Sequence, residues 1–296
     1  MDLMLDSIDP SELKRLLREC VEVDSPVSYY PEIHAWLGDT LAEMGYEMYT
    51  DSRRCAYVRV PGADSSKTVL LGAHLDTIGL IVRGFNDDGT LRVRQLGGIN
   101  YHSIEGETCS ILCRDGSAIA GQVICEKHSV HVFEDARTVA VLLDVLAWLK
   151  SSGQKPAFDT VFAFPINEEI GQGGAWVPRD VDEYVAVDIT LVGPDYNSDE
   201  HGVGIIASDA KGPYDWELTN TLIACAEEAC DDQKWNTQVC FHYSTDANAG
   251  FNNANDLTCA AFGMACMNTH GRERCHVDAI VETEKLARAY VMGIGR

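Results

Sequence analysis

The chain has 296 residues, 46% of them hydrophobic, and a formal net charge of −23. That length can bury a full core, as one large domain or one domain with an insert. So negative a surface repels nucleic acid and anionic membranes and excludes both as partners. The start, "MDLMLDSIDPSELKR", carries acids where a secretory signal carries bases, and no apolar run approaches the ~20 residues that span a bilayer. A cytoplasmic protein is expected. Eleven cysteines lie scattered through apolar segments such as "LTCAAFGMAC", without a C-x-x-C pair, and read as reduced core residues rather than disulfides.

Two amphipathic helices are predicted first: "PSELKRLLRECVEV", with Leu13, Leu16, Leu17 and Cys20 on one face, and "PEIHAWLGDTLAEMG", with Ile33, Trp36, Leu37 and Leu41. "AYVRV" and "KTVLLGAHLD" read as strands, the second buried on both faces. From Gly79 to Val132 the pattern changes to short β-like pieces separated by "NDDG", "LGGIN" and "RDGS" turns, which predicts a small all-β insert over residues 77–133. The remaining chain, 1–76 and 134–296, forms one discontinuous domain. After the insert, helix and strand patterns alternate through "TVAVLLDVLAWLKSSG", "DTVFAFPIN", "YVAVDITLVG", "GVGIIAS", "DWELTNTLIACAEEAC", "TQVCFHY", "TCAAFGMACM" and "VETEKLARAYVMGI". That alternation predicts an α/β sheet covered by helices.

Four places put acids or histidines at or just past the end of an apolar strand, where open α/β sheets bind ligands: "GAHLDT", "INEEIG", "AVDIT" and "RCHVD". Strand alternation puts His74 and Asp76 on one side, so the carboxylate can take the second N–H of the imidazole, although H-x-D is also a common structural pair. Asp188, inside "YVAVDITLV", needs a cation or several donors if ionised. Glu168 and Glu169 are consecutive acids that repel each other unless cations compensate them, and in extended backbone they point to different sides. Otherwise they form a solvated turn. Two divalent cations about 3.5–4 Å apart call for two imidazoles, two terminal carboxylates and one bridging carboxylate around an activated water. His74, His276, Glu169 and Asp188 fill four of these roles. Asp135, in "HVFEDARTVAVLL", is the candidate for the fifth, and as an acid before a helix pattern it is also an ordinary cap candidate. His128 and His131 read as ordinary insert residues.

The ordered motifs "GAHLDTIGLIV", "DDGTLRVRQLGGIN", "INEEIGQGGA", "VAVDIT", "HYSTDANA" and "HGRERCHVDAI" resemble the dinuclear-metal aminopeptidases of the glutamyl, deblocking and tetrahedral (TET) type over nearly the whole chain. The resemblance implies a three-layer mixed-sheet metallopeptidase domain with a shortened PDZ-like insert that serves dimerisation. It implies two divalent ions, zinc or cobalt with manganese possible, held by His74 and Asp188 on one side and by Glu169 and His276 on the other. Glu168 is then the general base, and Asp76 orients His74. Short peptides are the implied substrates, and a homo-oligomer, dimer or shell, is the implied assembly. The departure is at "EDARTVAVLL". Similar proteins continue for tens of residues before their bridging aspartate, which is followed by an acid or amide. Either Asp135 enters the bridge through a shortened insert, or the bridging segment is absent.

The leading expectation is a metal-dependent aminopeptidase. An N-acyl amino acid amidohydrolase with the same dinuclear site is the second, and a weakly active or inactive scaffold is the third.

Overall fold

The computed structural model describes residues 8–99, 101–124, 138–270 and 273–296. Both N-terminal helices form over the predicted segments. In α1, Pro10–Glu22, Asp9 accepts the Ser11 N–H at 2.9 Å and Pro10 opens the first turn. The second helix, α2, Pro31–Glu43, again starts on a proline. β1 (Tyr49–Thr50), β2 (Ala56–Val60) and β3 (Asp64–Gly72) follow. β3 stops two residues before His74, so His74 and Asp76 stand on the loop above the sheet rather than in it.

The next segment forms β4 (Gly79–Phe85), β5 (Leu91–Leu96), the short α3 (Tyr101–Ile104), β6 (Thr108–Leu112) and β7 (Ala118–Gln122). β4 pairs with β5 and β6 with β7, both antiparallel, and neither hairpin joins the main sheet.

The chain returns through α4 (Val139–Ser152), β8 (Phe158–Phe164), β9 (Glu183–Leu191), β10 (Val203–Asp209), β11 (Gly212–Pro213), α5 (Trp216–Ala229), β12 (Trp235–Val239), α6 (Asp246–Asn252), β13 (Thr258–Met267), β14 (Arg274–Cys275) and α7 (Val277–Val291). The main sheet runs β1-β2-β8-β3-β9-β13-β10-β11, with β12 added on β10 and β14 on β13. Its centre, β8-β3-β9-β13, is parallel throughout. β9 is buried at every residue, as expected for a central parallel strand.

α4 is buried nearly all round because α1 and α7 pack on it. Its one buried acid, Asp144, is held by Arg288 of α7 at 3.1 Å. No disulfide links the cysteines of the described residues, in line with the sequence reading. Among these residues no helix is long and apolar enough to cross a membrane.

Candidate metal centre

The C-terminal ends of the four parallel central strands lie side by side, and each delivers a side chain to one buried cluster. His74 and Asp76 follow β3, Glu168 and Glu169 follow β8, and Asp188 sits near the end of β9. The donor atoms of His74, Glu168 and Glu169 lie within 4.8 Å of one another.

Asp76 ties the cluster together through its backbone and its side chain. Nδ1 of His74 is 3.0 Å from the Asp76 carbonyl oxygen. A carbonyl can only accept, so Nδ1 carries the proton and Nε2 keeps the lone pair. The Asp76 carboxylate instead accepts the backbone N–H groups of Glu168 at 3.0 Å and Glu169 at 3.3 Å, and lies 3.8 Å from His74 Nδ1. The predicted orienting role thus falls to the main chain of Asp76, while its carboxylate holds the Glu168–Glu169 turn.

That turn is a short 3-10 segment, Glu168–Ile170, entered through Asn167 at φ 68°. Ser28 Oγ donates to Asn167 Oδ1 at 2.8 Å and fixes this left-handed residue. Gly97, from the loop after β5, closes over the turn at φ +77°; a Cβ there would stand 3.2 Å from Glu169 Cβ and 2.9 Å from Ile78 Cγ2. The hairpin segment therefore contributes a wall to the cluster.

The histidine that meets Glu169 is not His276. His270 Nε2 lies 3.1 Å from Glu169 Oε2, on a turn where Asn268 and His270 both adopt positive φ, 55° and 54°. Non-glycine residues in that region are uncommon and concentrate at functional sites. His276 instead caps α7, with Asp278 donating its N–H to Nδ1 at 3.1 Å, and it neighbours His201. The physical reason is the chain reversal after β13: β14 folds back on Cys266 and Met267 and carries His276 away, whereas His270 lies only three residues past the strand end. That short offset was the signal in the sequence.

Asp246 was also missed. It begins α6 in the "STDANA" stretch and is buried, with Oδ1 accepting the Gly174 N–H at 2.5 Å. A Cβ at Gly174 would come within 2.0 Å of the Asp246 carbonyl oxygen, so this approach requires a glycine. Asp135, His128 and His131 lie outside the described residues. The neighbouring Thr138 is described: its Oγ1 donates to the Val187 carbonyl, beside Asp188.

The electrostatics are those of buried carboxyls crowded together. Burial pushes the Glu168 carboxyl well above its usual range; His74 opposes this, while Asp246, Asp188 and Asp76 add to it. Burial raises Asp188 and Asp76 as well, and raises Asp246 to about 7. Burial holds the His270 imidazolium down at about 2, so this ring is neutral. Among the described residues, the buried atoms His270 Nδ1 and Asp246 Oδ2 have no hydrogen-bond partner. Clustered buried carboxylates facing neutral imidazoles suit divalent cations.

The model of the M42 glutamyl aminopeptidase family matches residues 55–139 and 132–286. The chain belongs to the M42 glutamyl aminopeptidase family. This M42 chain is 27% identical to YhfE of Bacillus subtilis (strain 168), a candidate aminopeptidase, over 93% of its own length and 96% of that protein. The aligned span of 334 positions exceeds the chain itself, so the relative contains residues without a counterpart here. Aminopeptidase APDkam598 of Desulfurococcus kamchatkensis has the same fold, at TM-score 0.82 and 16% identity over 96% of this chain and 95% of that one. So does the Pyrococcus horikoshii TET1 peptidase, which can assemble into a tetrahedron or a large octahedral shell, at TM-score 0.79 and 18% identity over 95% of this chain and 100% of that one.

Proposed function

We propose that this M42 chain is a metal-dependent aminopeptidase that removes N-terminal residues from short peptides at a dinuclear centre. The observation that carries the reading is the convergence of two imidazoles and two carboxylates, His74, Glu168, Glu169 and His270, within ligand distance of one another at the strand ends. His74 Nε2 and Asp188 would hold one ion, and Glu169 and His270 the other. Asp135, outside the described residues, is the candidate for the further carboxylate that would hold them. Bound divalent ions supply Lewis acidity, which makes a water nucleophilic near neutral pH and polarises the scissile carbonyl.

The protein does the rest. Glu168 lies within reach of the same space as His74 and Glu169, and its raised affinity for protons suits a general base that takes the proton of the attacking water and returns it to the leaving amine. Asp76 positions both partners, holding the His74 tautomer and the Glu168 backbone together.

A free-amine amino acid anilide should be cleaved and its N-acetylated counterpart spared. Cleavage of the blocked compound alone would transfer the chain to the amidohydrolases. Self-association is proposed through the two hairpins, on which Ile81, Phe85 and Ile119 are large apolar side chains left exposed. The TET1 peptidase sets the precedent for a homo-oligomer.

A further inference from the structure

We propose that the chain holds a further divalent transition-metal ion outside the buried centre, on His201, His276 and Asp278. His201 lies two residues before β10, His276 caps α7, and Asp278 sits in the first turn of that helix. Their donor atoms lie within 4.8 Å of one another. Nδ1 of His201 is 3.0 Å from Nδ1 of His276, and these two nitrogens lie 3.4 Å and 3.5 Å from the Asp278 carboxylate oxygens. A tetrahedral zinc ion with bonds of about 2.0–2.1 Å keeps its ligands about 3.3–3.4 Å apart. The separations, 3.4 Å to Oδ2 for His201 and 3.5 Å to Oδ1 for His276, lie close to that ligand spacing, so a small turn of the Asp278 carboxylate brings one oxygen and both nitrogens onto a single ion.

Two imidazole nitrogens that face each other need a proton or a cation between them. Here Nδ1 of His276 already accepts the Asp278 N–H at 3.1 Å, so a second donor must share one lone pair. An ion takes the place of the His201 proton and competes with that amide for His276. The surroundings favour it. Glu200 Oε1 stands 3.7 Å from Nε2 of His201, on the side where a carboxylate commonly backs a metal-bound histidine. Lys234 Nζ holds Asp278 Oδ2 at 3.2 Å and opposes a cation on that oxygen, so Oδ1, which faces His276, is the oxygen left for the ion. A cation near a helix N-terminus works against the macrodipole, and the Asp278 charge in the same turn offsets this. The three side chains are 36–42% exposed, so an ion enters without any opening of the fold. Two imidazoles and a carboxylate select zinc or cobalt over magnesium or calcium. When filled, the site ties the start of α7 to the lead-in of β10.

The test uses the whole chain, stripped of metal and titrated with zinc. In the His74→Ala/His270→Ala variant, which lacks both imidazoles of the buried centre, one zinc per chain should still bind. Adding His201→Ala should weaken that ion by about 100-fold or more. Because the double variant can fail to fold, the otherwise wild-type chain is loaded with cobalt in parallel. There His201→Ala should lose one equivalent of cobalt with its tetrahedral absorption, while anilide turnover stays unchanged. Equal cobalt in His201→Ala and wild type overturns the proposal, as does a zinc isotherm that His201→Ala leaves unmoved. Neither metal readout depends on peptide cleavage, so the proposed function can fail without this site failing.

Discussion

His270 Nε2 stands 3.1 Å from Glu169 Oε2, with both side chains only 5% exposed. The imidazole is neutral, because burial holds its pKa near 2, so the contact is not an ion pair and gains little until a cation joins it. His270→Ala should therefore lose at least one ion per chain and nearly all turnover, whereas His276→Ala should retain most turnover. Metal content by atomic spectroscopy and anilide hydrolysis check the pair. The reverse pattern would restore His276 to the buried centre.

Glu168→Gln should leave the ions of the buried centre bound and lower kcat by roughly 10²–10⁴-fold, the usual worth of a positioned general base. Equal metal content with near-normal kcat would remove the base role from Glu168.

Gly97→Ala places a methyl group against Glu169 Cβ and Ile78 Cγ2 at a positive φ. The left-handed backbone alone costs about 1 kcal/mol, and relief of the contact must shift Glu169. Metal affinity should fall more than global stability, measured by calorimetric titration beside thermal unfolding. Gly89→Ala, with positive φ and open space around it, supplies the control that feels the backbone term alone.

Without metal, the carboxylate cluster should make stability fall as pH rises. Asp246, raised to about 7, and Glu168, Asp188 and Asp76, raised by burial, bind protons more tightly folded than unfolded. Their contribution is full below about pH 4 and is lost as pH rises through their folded pKa values. His270, lowered to about 2, works in the opposite direction below its unfolded value of about 6.5 and offsets one of the four. Tm of the metal-free protein should therefore decline from pH 5 to 7.5, and added zinc should reverse the decline. A metal-free Tm that climbs across this window contradicts the electrostatic reading of the cluster.

Glu183 offers the opposite sign far from the cluster. Burial tends to raise its carboxyl, but hydrogen bonds from Arg296, Lys67 and Tyr290 outweigh that and lower it. The stabilisation is present above the unfolded pKa of about 4.5 and lost as pH falls through the lower folded value. Glu183→Gln should cost about 2–3 kcal/mol at pH 7 and much less at pH 3, by urea unfolding at both.

The helices and strands outside the hairpin segment were legible because their apolar periodicity is strong. "AYVRV" is β2 residue for residue, and "TCAAFGMACM" is β13. Three of the strand ends at the cluster, after β3, after β8 and in β9, were legible too, since a buried parallel strand that ends in acids or a histidine has few structural uses; the fourth reading, "RCHVD", fell on His276, which lies elsewhere. α6 was not: seven residues of "DANAGFN" carry no clear period, and Asp246 went unnoticed with them.

The sequence by itself determined the α/β alternation, the reduced cysteines, the anionic character, and His74, Asp76, Glu168, Glu169 and Asp188 as one constellation, because strand-end position is a local property. Only the tertiary structure put His270, and not His276, beside Glu169. Both histidines follow β13, and the choice depends on where the chain turns back as β14, a pairing between residues that no local pattern encodes. The same holds for Gly97 and Asp246, which reach the cluster from a hairpin and a short helix through packing, and packing is a property of the assembled fold.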